Sequence, residues 1–263
     1  MIRETLHYYR DNYGKTLTLA LPLVATFWAQ MGIELIDAIM LGMLGKDALA
    51  AGGLAIAVYL LMFIPCLGFV SAVGIFIARC YGARDYAKAA FTLQQGGWLC
   101  VTLAIPVMLV LWFAPMCLLA FGYQPTLVAH ATQYLHTLLF AVLPLLLGIT
   151  LREYIAAFGY PKFLFYISLF VLPIKVLFTY LLMYGHWGFP AMGAAGIGLA
   201  SSVSGWYLVI AFVLLISVAR PFQHYRPLAK LYWPNWAMFK DILCLGAPIS
   251  FTIALDLVLF TGM

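Results

Sequence analysis

Four ionisable side chains interrupt stretches that are otherwise apolar: Glu34 and Asp37 in MGIELIDAIMLG, Lys175 in FVLPIKVLF and Asp256 in TIALDLVLF. A charge at the centre of a membrane helix costs at least about 2.5 to 3.5 kcal/mol, so such groups are candidates for ion binding, proton relay or mutual pairing. Glu34 and Asp37 are three residues apart and share one helix face. The competing structural roles are a carboxylate reaching the interface for Glu34 and a Lys–Asp pair serving as helix glue. No other residue set points to chemistry. There is no Ser/His/Asp set, no HExxH and no GxxxxGK, and nothing beside Glu34 and Asp37 supplies an oxyanion donor or a metal, so an enzyme is not expected. Cys66, Cys80, Cys100, Cys117 and Cys244 form no CxxC and have no histidine at ligand spacing; they read as apolar packing residues, with no metal or cofactor expected.

The elements that must position these charges follow from composition. Of 263 residues, 65% are hydrophobic and only 9% are charged, and the mean hydropathy is +1.02. Soluble chains carry about a quarter charged residues, so this is an all-α membrane protein. The formal charge of +5 forms no basic run among stacking aromatics, which excludes nucleic acid as a partner and leaves the lipid bilayer as the surrounding medium. A span needs roughly 20 apolar residues. Apolar runs delimited by charge, Gly and Pro predict helices at 17–44, 54–78, 94–121, 133–158, 161–184 and 193–219, with a seventh from 242 to the chain end at 263. The stretches between them, among them GKDALAAGG, YGARDYAKAAF and GYQPTLVAHAT, read as connectors.

Twelve of the 14 Lys and Arg residues fall on one side of such a bundle, in the segments around Arg3 to Lys15, Arg79 to Lys88, Arg152 to Lys162 and Arg220 to Lys240. Lys46 stands alone on the other side, and Lys175 is inside a helix. The positive-inside rule then places the N-terminus and the even-numbered connectors of a multi-pass membrane protein in the cytoplasm. No cleavable leader is expected at the N-terminus.

The first and seventh predicted helices can be overlaid, LTLALPLVATFWAQ from Leu17 on LCLGAPISFTIALD from Leu243, with Pro22 on Pro248 and Gln30 on Asp256. Six helices separate the copies, so both enter the membrane in the same direction, as in transporters with parallel repeats. The domain reading is a six-helix lobe at 1–219, a cytoplasmic linker at 220–241 and, at 242–263, the first helix of a second lobe, from which a truncated chain is expected. Pro22, Pro65, Pro106, Pro144 and Pro173 lie inside predicted helices and permit kinks. The run MGAAGIGLASSVSG offers small residues for close helix contact, with Ser201, Ser202 and Ser204 as interhelical donors.

Five segments in order, LALPLVATFWAQMGIELIDAIMLGMLGKDALAAGGLA, ARCYGARDYAKA, LREYIAAFGYPK, YLLMYGHWGFPAMGAAGIGLASSVSGW and LGAPISFTIALDLVLF, resemble the first half and seventh helix of MATE (multidrug and toxin extrusion) transporters of the bacterial NorM-like branch. The resemblance implies two six-helix lobes exporting small organic, often cationic, compounds in exchange for H⁺ or Na⁺ by alternating access. It further implies that Asp37 is an ion- or proton-responsive carboxylate and Asp256 a second acid facing the central cavity. Pro22 would be a bend point, and Lys175 and Thr179 would occupy two polar positions of helix 5. Glu34 joins the coupling group from its place beside Asp37. A basic residue at position 175 departs from the family. Helices 1 and 5 of a MATE lobe both line its interior, so Lys175 is expected to pair with Asp37 and take the place of a bound Na⁺, which makes H⁺ the expected coupling ion; the alternative is that Lys175 snorkels to the outer interface. Two other functions remain open: an exporter of lipid-linked sugars or polysaccharides, which needs a more basic cavity, and a non-transporting remnant or half of a split transporter whose second lobe is missing.

Overall fold

A computed structural model describes residues 2–188, 190–219 and 232–261. These residues form seven helices: α1 (Ile2–Met43), α2 (Lys46–Gly82), α3 (Tyr86–Ala120), α4 (Pro125–Ala157), α5 (Pro161–Tyr184), α6 (Ala194–Val218) and α7 (Trp236–Thr261). Each contains a stretch long and apolar enough to cross a membrane, as the composition requires.

The helices run further than the apolar stretches do. α2 begins at Lys46, α3 at Tyr86 and α4 at Pro125, so most of the three segments read as connectors are helical. Hydropathy marks the part of a helix that needs lipid, whereas caps and turn residues mark where the helix ends. The Ala-rich KDALAA segment has high helix propensity. Asp85 caps α3 by accepting the Lys88 amide at 3.0 Å, and Pro125 and Pro161 open α4 and α5 at the position where proline costs nothing. The actual turns are therefore tight. That between α2 and α3 places Arg84 at φ 57°, and α5 ends on Gly185 at φ 75°, a left-handed cap that glycine adopts without strain.

α4 is the central helix, packed against α2, α3 and α6; α5 lies on α6 and carries α1, and α7 lies along α2. Two apolar clusters fill the interior. One joins the first turns of α2 and α4 to the later turns of α3, around Tyr59, Leu111 and Leu135. The other joins the opposite ends around Ile77, Tyr154 and Phe212 and takes in Phe239 and Ile242 of α7. The small residues of α6 let it approach its neighbours: a Cβ on Gly196 would stand 2.6 Å from the Leu182 carbonyl oxygen of α5. Ser202 donates across to the Thr137 carbonyl of α4 at 3.3 Å, and Ser204 bonds back within α6.

Residues 220–231 of the segment read as a linker lie outside the described residues. Its remainder is not all linker. α7 starts at Trp236, six residues before the Ile242 start expected from hydropathy, because Asn235 accepts the amides of Ala237 and Met238 at 3.0 and 3.3 Å and caps it. The extended residues before that cap are held by α3. The Gln94 side chain accepts the Tyr232 amide at 2.7 Å. Gln95 accepts the Asn235 amide at 2.7 Å and donates to the Trp233 carbonyl at 3.0 Å. The Trp98 indole donates to the Tyr232 carbonyl at 3.1 Å. Gln95 is fully buried, and satisfying both ends of its amide is what makes that burial tolerable. Gln95→Leu removes both bonds, so amide exchange at Asn235 is expected to accelerate about tenfold or more. Hydrogen exchange read by mass spectrometry checks this; unchanged protection at Asn235 contradicts the role given to Gln95.

Candidate functional site

Lys175 lies on α5 two residues after Pro173, on the face that also carries buried Val171 and Thr179. Its side chain is 1% exposed. The ammonium has two polar partners: Asp37 Oδ2 of α1 at 3.0 Å, and the Ser201 hydroxyl of α6, to which Nζ donates. The Ser201 hydroxyl in turn donates to the Ile197 carbonyl at 3.1 Å. One buried cation thus ties three helices together. Two lone charges in such surroundings would each be costly, and their pairing is what allows them there.

The Asp37 side chain is 15% exposed, and it is Oδ2 that meets the ammonium. Among the described residues the buried Oδ1 has no hydrogen-bond partner, nor has the buried Tyr59 hydroxyl of α2. Both residues line a cavity of about 420 Å³ that Lys175, Tyr134, Glu34 and Arg152 also border. At the far end of this cavity Arg152 of α4 reaches α1, with Nη1 3.3 Å from Gln30 Oε1 and the guanidinium carbon 5.5 Å from the Phe27 ring centre. Its other terminal nitrogen meets Glu153 at 3.2 Å.

The structure brings together some of the residues singled out in the sequence and separates others. Asp37 and Lys175 meet. Glu34, one turn before Asp37, borders the same cavity with its side chain exposed, and no described residue forms an ion pair with it. Thr179 is fully buried and donates to the Lys175 carbonyl at 2.7 Å, so its hydroxyl serves its own helix and does not border the cavity. Asp256 is exposed on α7 and lies outside the cavity's lining; its helix rests on α2 through Ser250, which donates to the Pro65 carbonyl at 2.7 Å. α1 continues through Pro22 as one helix. Arg152, Tyr59 and Tyr134 are among the cavity residues that sequence reasoning passed over. Arg152 counted only as a topology marker, and a tyrosine in an apolar run carries no signal that separates a packed ring from a cavity hydroxyl.

The MatE family model matches residues 22–181 of the chain, from the middle of α1 almost to the end of α5. The chain belongs to the MatE family. MatE relatives named "Probable multidrug resistance protein NorM" include that of Mesorhizobium japonicum, 35% identical over 256 residues, covering 97% of this chain and 55% of the relative. That of Pseudomonas aeruginosa is 35% identical over 245 residues, covering 93% and 50%. The chain thus spans about half the length of the curated relatives it matches. The same holds for solved MatE structures. The eukaryotic MATE transporter AtDTX14 superposes with a TM-score of 0.83 at 20% identity, over 97% of this chain and 57% of that one. An outward-facing multidrug resistance MATE family transporter superposes with a TM-score of 0.80, also at 20% identity, over 94% and 54%. These superpositions show the MatE fold: a six-helix lobe and the seventh helix that follows it.

Proposed function

We propose that the chain forms the first lobe of a multidrug efflux antiporter that works by alternating access, and that the Asp37–Lys175 pair is its coupling element, driven by protons. The observation that carries this reading is the pair itself, buried at the edge of a cavity and joining α1 to α5. α1 leans mainly on α5, so breaking this pair loosens the helix from the rest of the lobe. A proton delivered to Asp37 cancels the attraction and leaves the ammonium on Ser201; its departure restores the link. An amine-bearing substrate competes for the same carboxylate through Oδ1, which has no partner among the described residues. Because the Lys175 ammonium already occupies the place a monovalent cation would take beside Asp37, the lobe has no use for Na⁺ there. Asp256, exposed on α7, is the acid this arrangement leaves to face the second lobe, and Pro22 is a point at which α1 bends once freed. Glu34 supplies a second carboxylate at the cavity edge. The substrates are small organic compounds, for which the NorM names of the relatives give the direction.

Ethidium accumulation tests the reading. Cells expressing this chain together with a second lobe are expected to retain less dye than cells expressing either part alone; equal accumulation in all three removes the transport function. The proposed orientation, N-terminus in the cytoplasm of a plasma membrane, has its own check. Cysteines at Lys46 and Trp187, at the α1–α2 and α5–α6 turns, should react with an impermeant maleimide in intact cells, and one at exposed Ala83 should not. The reverse pattern inverts the topology.

A further inference from the structure

Among the described residues, α7 and the extended chain before it meet the first six helices at two levels of different character. The first is a crossing with α2. Gly68 of α2 leaves room for the Ser250 main chain, with which a Cβ at position 68 would collide. A Cβ on Gly246 would stand 2.7 Å from the Phe69 ring and 2.8 Å from the Phe69 Cα. Ser250, 6% exposed, closes the contact by donating to the Pro65 carbonyl at 2.7 Å. Small residues bring the two backbones together here, and in lipid nothing replaces the packing or the bond when such helices part.

The second level is the clasp between α3 and residues 232–235. Gln94 and Gln95 accept the amides of Tyr232 and Asn235, while Gln95 and Trp98 donate to the carbonyls of Trp233 and Tyr232. The Tyr232 ring adds an edge-on contact with Phe91 of α3, the ring centres 5.3 Å apart. The clasp lies near the ends of its helices, since α3 begins at Tyr86 and α7 at Trp236, and Trp233 is 86% exposed. All four bonds join neutral groups, and at an exposed end each can be exchanged for a bond to water at little net cost.

A helix held at two points cannot swing unless one of them yields, and the clasp is the weaker. From Trp236 to Gly246 α7 forms an arm of about 15 Å. Phe239 and Ile242 on this arm are buried in the apolar cluster around Ile77 and Phe212, so a swing uncovers them and their reburial draws the arm back.

We propose that the clasp is a releasable latch and the crossing of α2 with α7 its pivot: the arm swings out when Gln94, Gln95 and Trp98 let go of residues 232–235, while Gly68, Gly246 and Ser250 stay in contact. On the efflux reading α7 is the first helix of the second lobe, so this release opens the lobes on the cytoplasmic side. That last step rests on the efflux reading; the latch and its pivot do not.

The latch is tested in the purified 263-residue chain by the rate at which N-ethylmaleimide labels introduced cysteines, with Cys244→Ser throughout and each site resolved by mass spectrometry. Ile242→Cys lies on the arm and Ser250→Cys at the pivot. Adding Gln94→Leu and Gln95→Leu is expected to speed labelling at position 242 about tenfold or more and to leave position 250 within about twofold. Equal acceleration at both positions means that α7 leaves as a whole and has no pivot there; no acceleration at position 242 means that the clasp holds nothing. Either result overturns the proposal. The role in transport has its own readout. With Gln94→Cys and Tyr232→Cys joined by a reducible bis-thiosulfonate and a second lobe supplied, ethidium efflux should fall about tenfold or more and return on reduction. Efflux that survives the cross-link, or a pair that does not cross-link, removes the latch from the cycle. Absence of efflux before cross-linking removes the transport reading and leaves the labelling result standing.

Discussion

Asp37→Asn is expected to abolish coupled export by a transporter carrying this lobe and to destabilise the lobe at the same time. The exchange keeps the side chain's volume and removes its charge, which leaves the Lys175 ammonium, 1% exposed, without its anion. Removing one partner of a buried ion pair costs about 3 to 5 kcal/mol, because the remaining charge is uncompensated. The melting temperature in detergent should therefore fall, and drug resistance should fall to the level of cells without the transporter. A second exchange separates the two effects. Asp37→Asn combined with Lys175→Met restores the melting temperature, since replacing both charges with groups of similar shape is neutral or stabilising, but export stays lost because no carboxylate remains to exchange a proton. Retained resistance in Asp37→Asn at normal expression removes Asp37 from the mechanism. Recovery of coupled export in the double variant makes the pair structural glue.

Lys175→Asn should convert the pair into a site for a free cation. The exchange withdraws the tethered ammonium and supplies a carbonyl oxygen beside the Asp37 carboxylate and the Ser201 hydroxyl, which is an oxygen set suited to a hard monovalent ion. Without added cation the variant is less stable than wild type, for Asp37 has then lost its partner. Na⁺ should reverse this. At a concentration 100 times its Kd it stabilises the variant by about 2.7 kcal/mol, while the wild type, whose Lys175 fills the place, does not respond. Thermal unfolding in Na⁺ against choline at fixed ionic strength reads the difference. An equal response of both proteins, or of neither, contradicts the idea that Lys175 replaces a bound ion.

How much of this was open to sequence reasoning depends on what each residue's signal is. Asp37 and Lys175 stand out because a charge in an apolar run has few explanations. Their meeting does not follow from spacing, since 138 positions separate them, and the expectation of it rested on the family resemblance. Arg152 hides in plain view: an arginine near the end of a helix is explained by topology, and only the fold shows it bordering the Asp37 cavity. The helices themselves are written in hydropathy. Their ends are not, because Asp85 and Asn235 act through side-chain hydrogen bonds to one and two backbone amides, which leave hydropathy unmoved. Gln94 and Gln95 mark the hardest case. At the polar end of α3 they look like ordinary interface residues, yet they hold main-chain groups of residues 232–235 that no local pattern connects to them. Thr179 shows the converse, a polar residue matched by family position whose hydroxyl is spent on its own helix.

The central claim is that proton exchange at the Asp37–Lys175 pair drives export with no role for Na⁺, and gradient-driven uptake into inside-out proteoliposomes measures it most directly. The chain reconstituted with a second lobe should accumulate ethidium when the lumen is made acidic in Na⁺-free buffer, should gain nothing from an added Na⁺ gradient, and should lose accumulation in Asp37→Asn. Accumulation driven by a Na⁺ gradient at equal pH on both sides, or a pH-driven rate unchanged by Asp37→Asn, would contradict it.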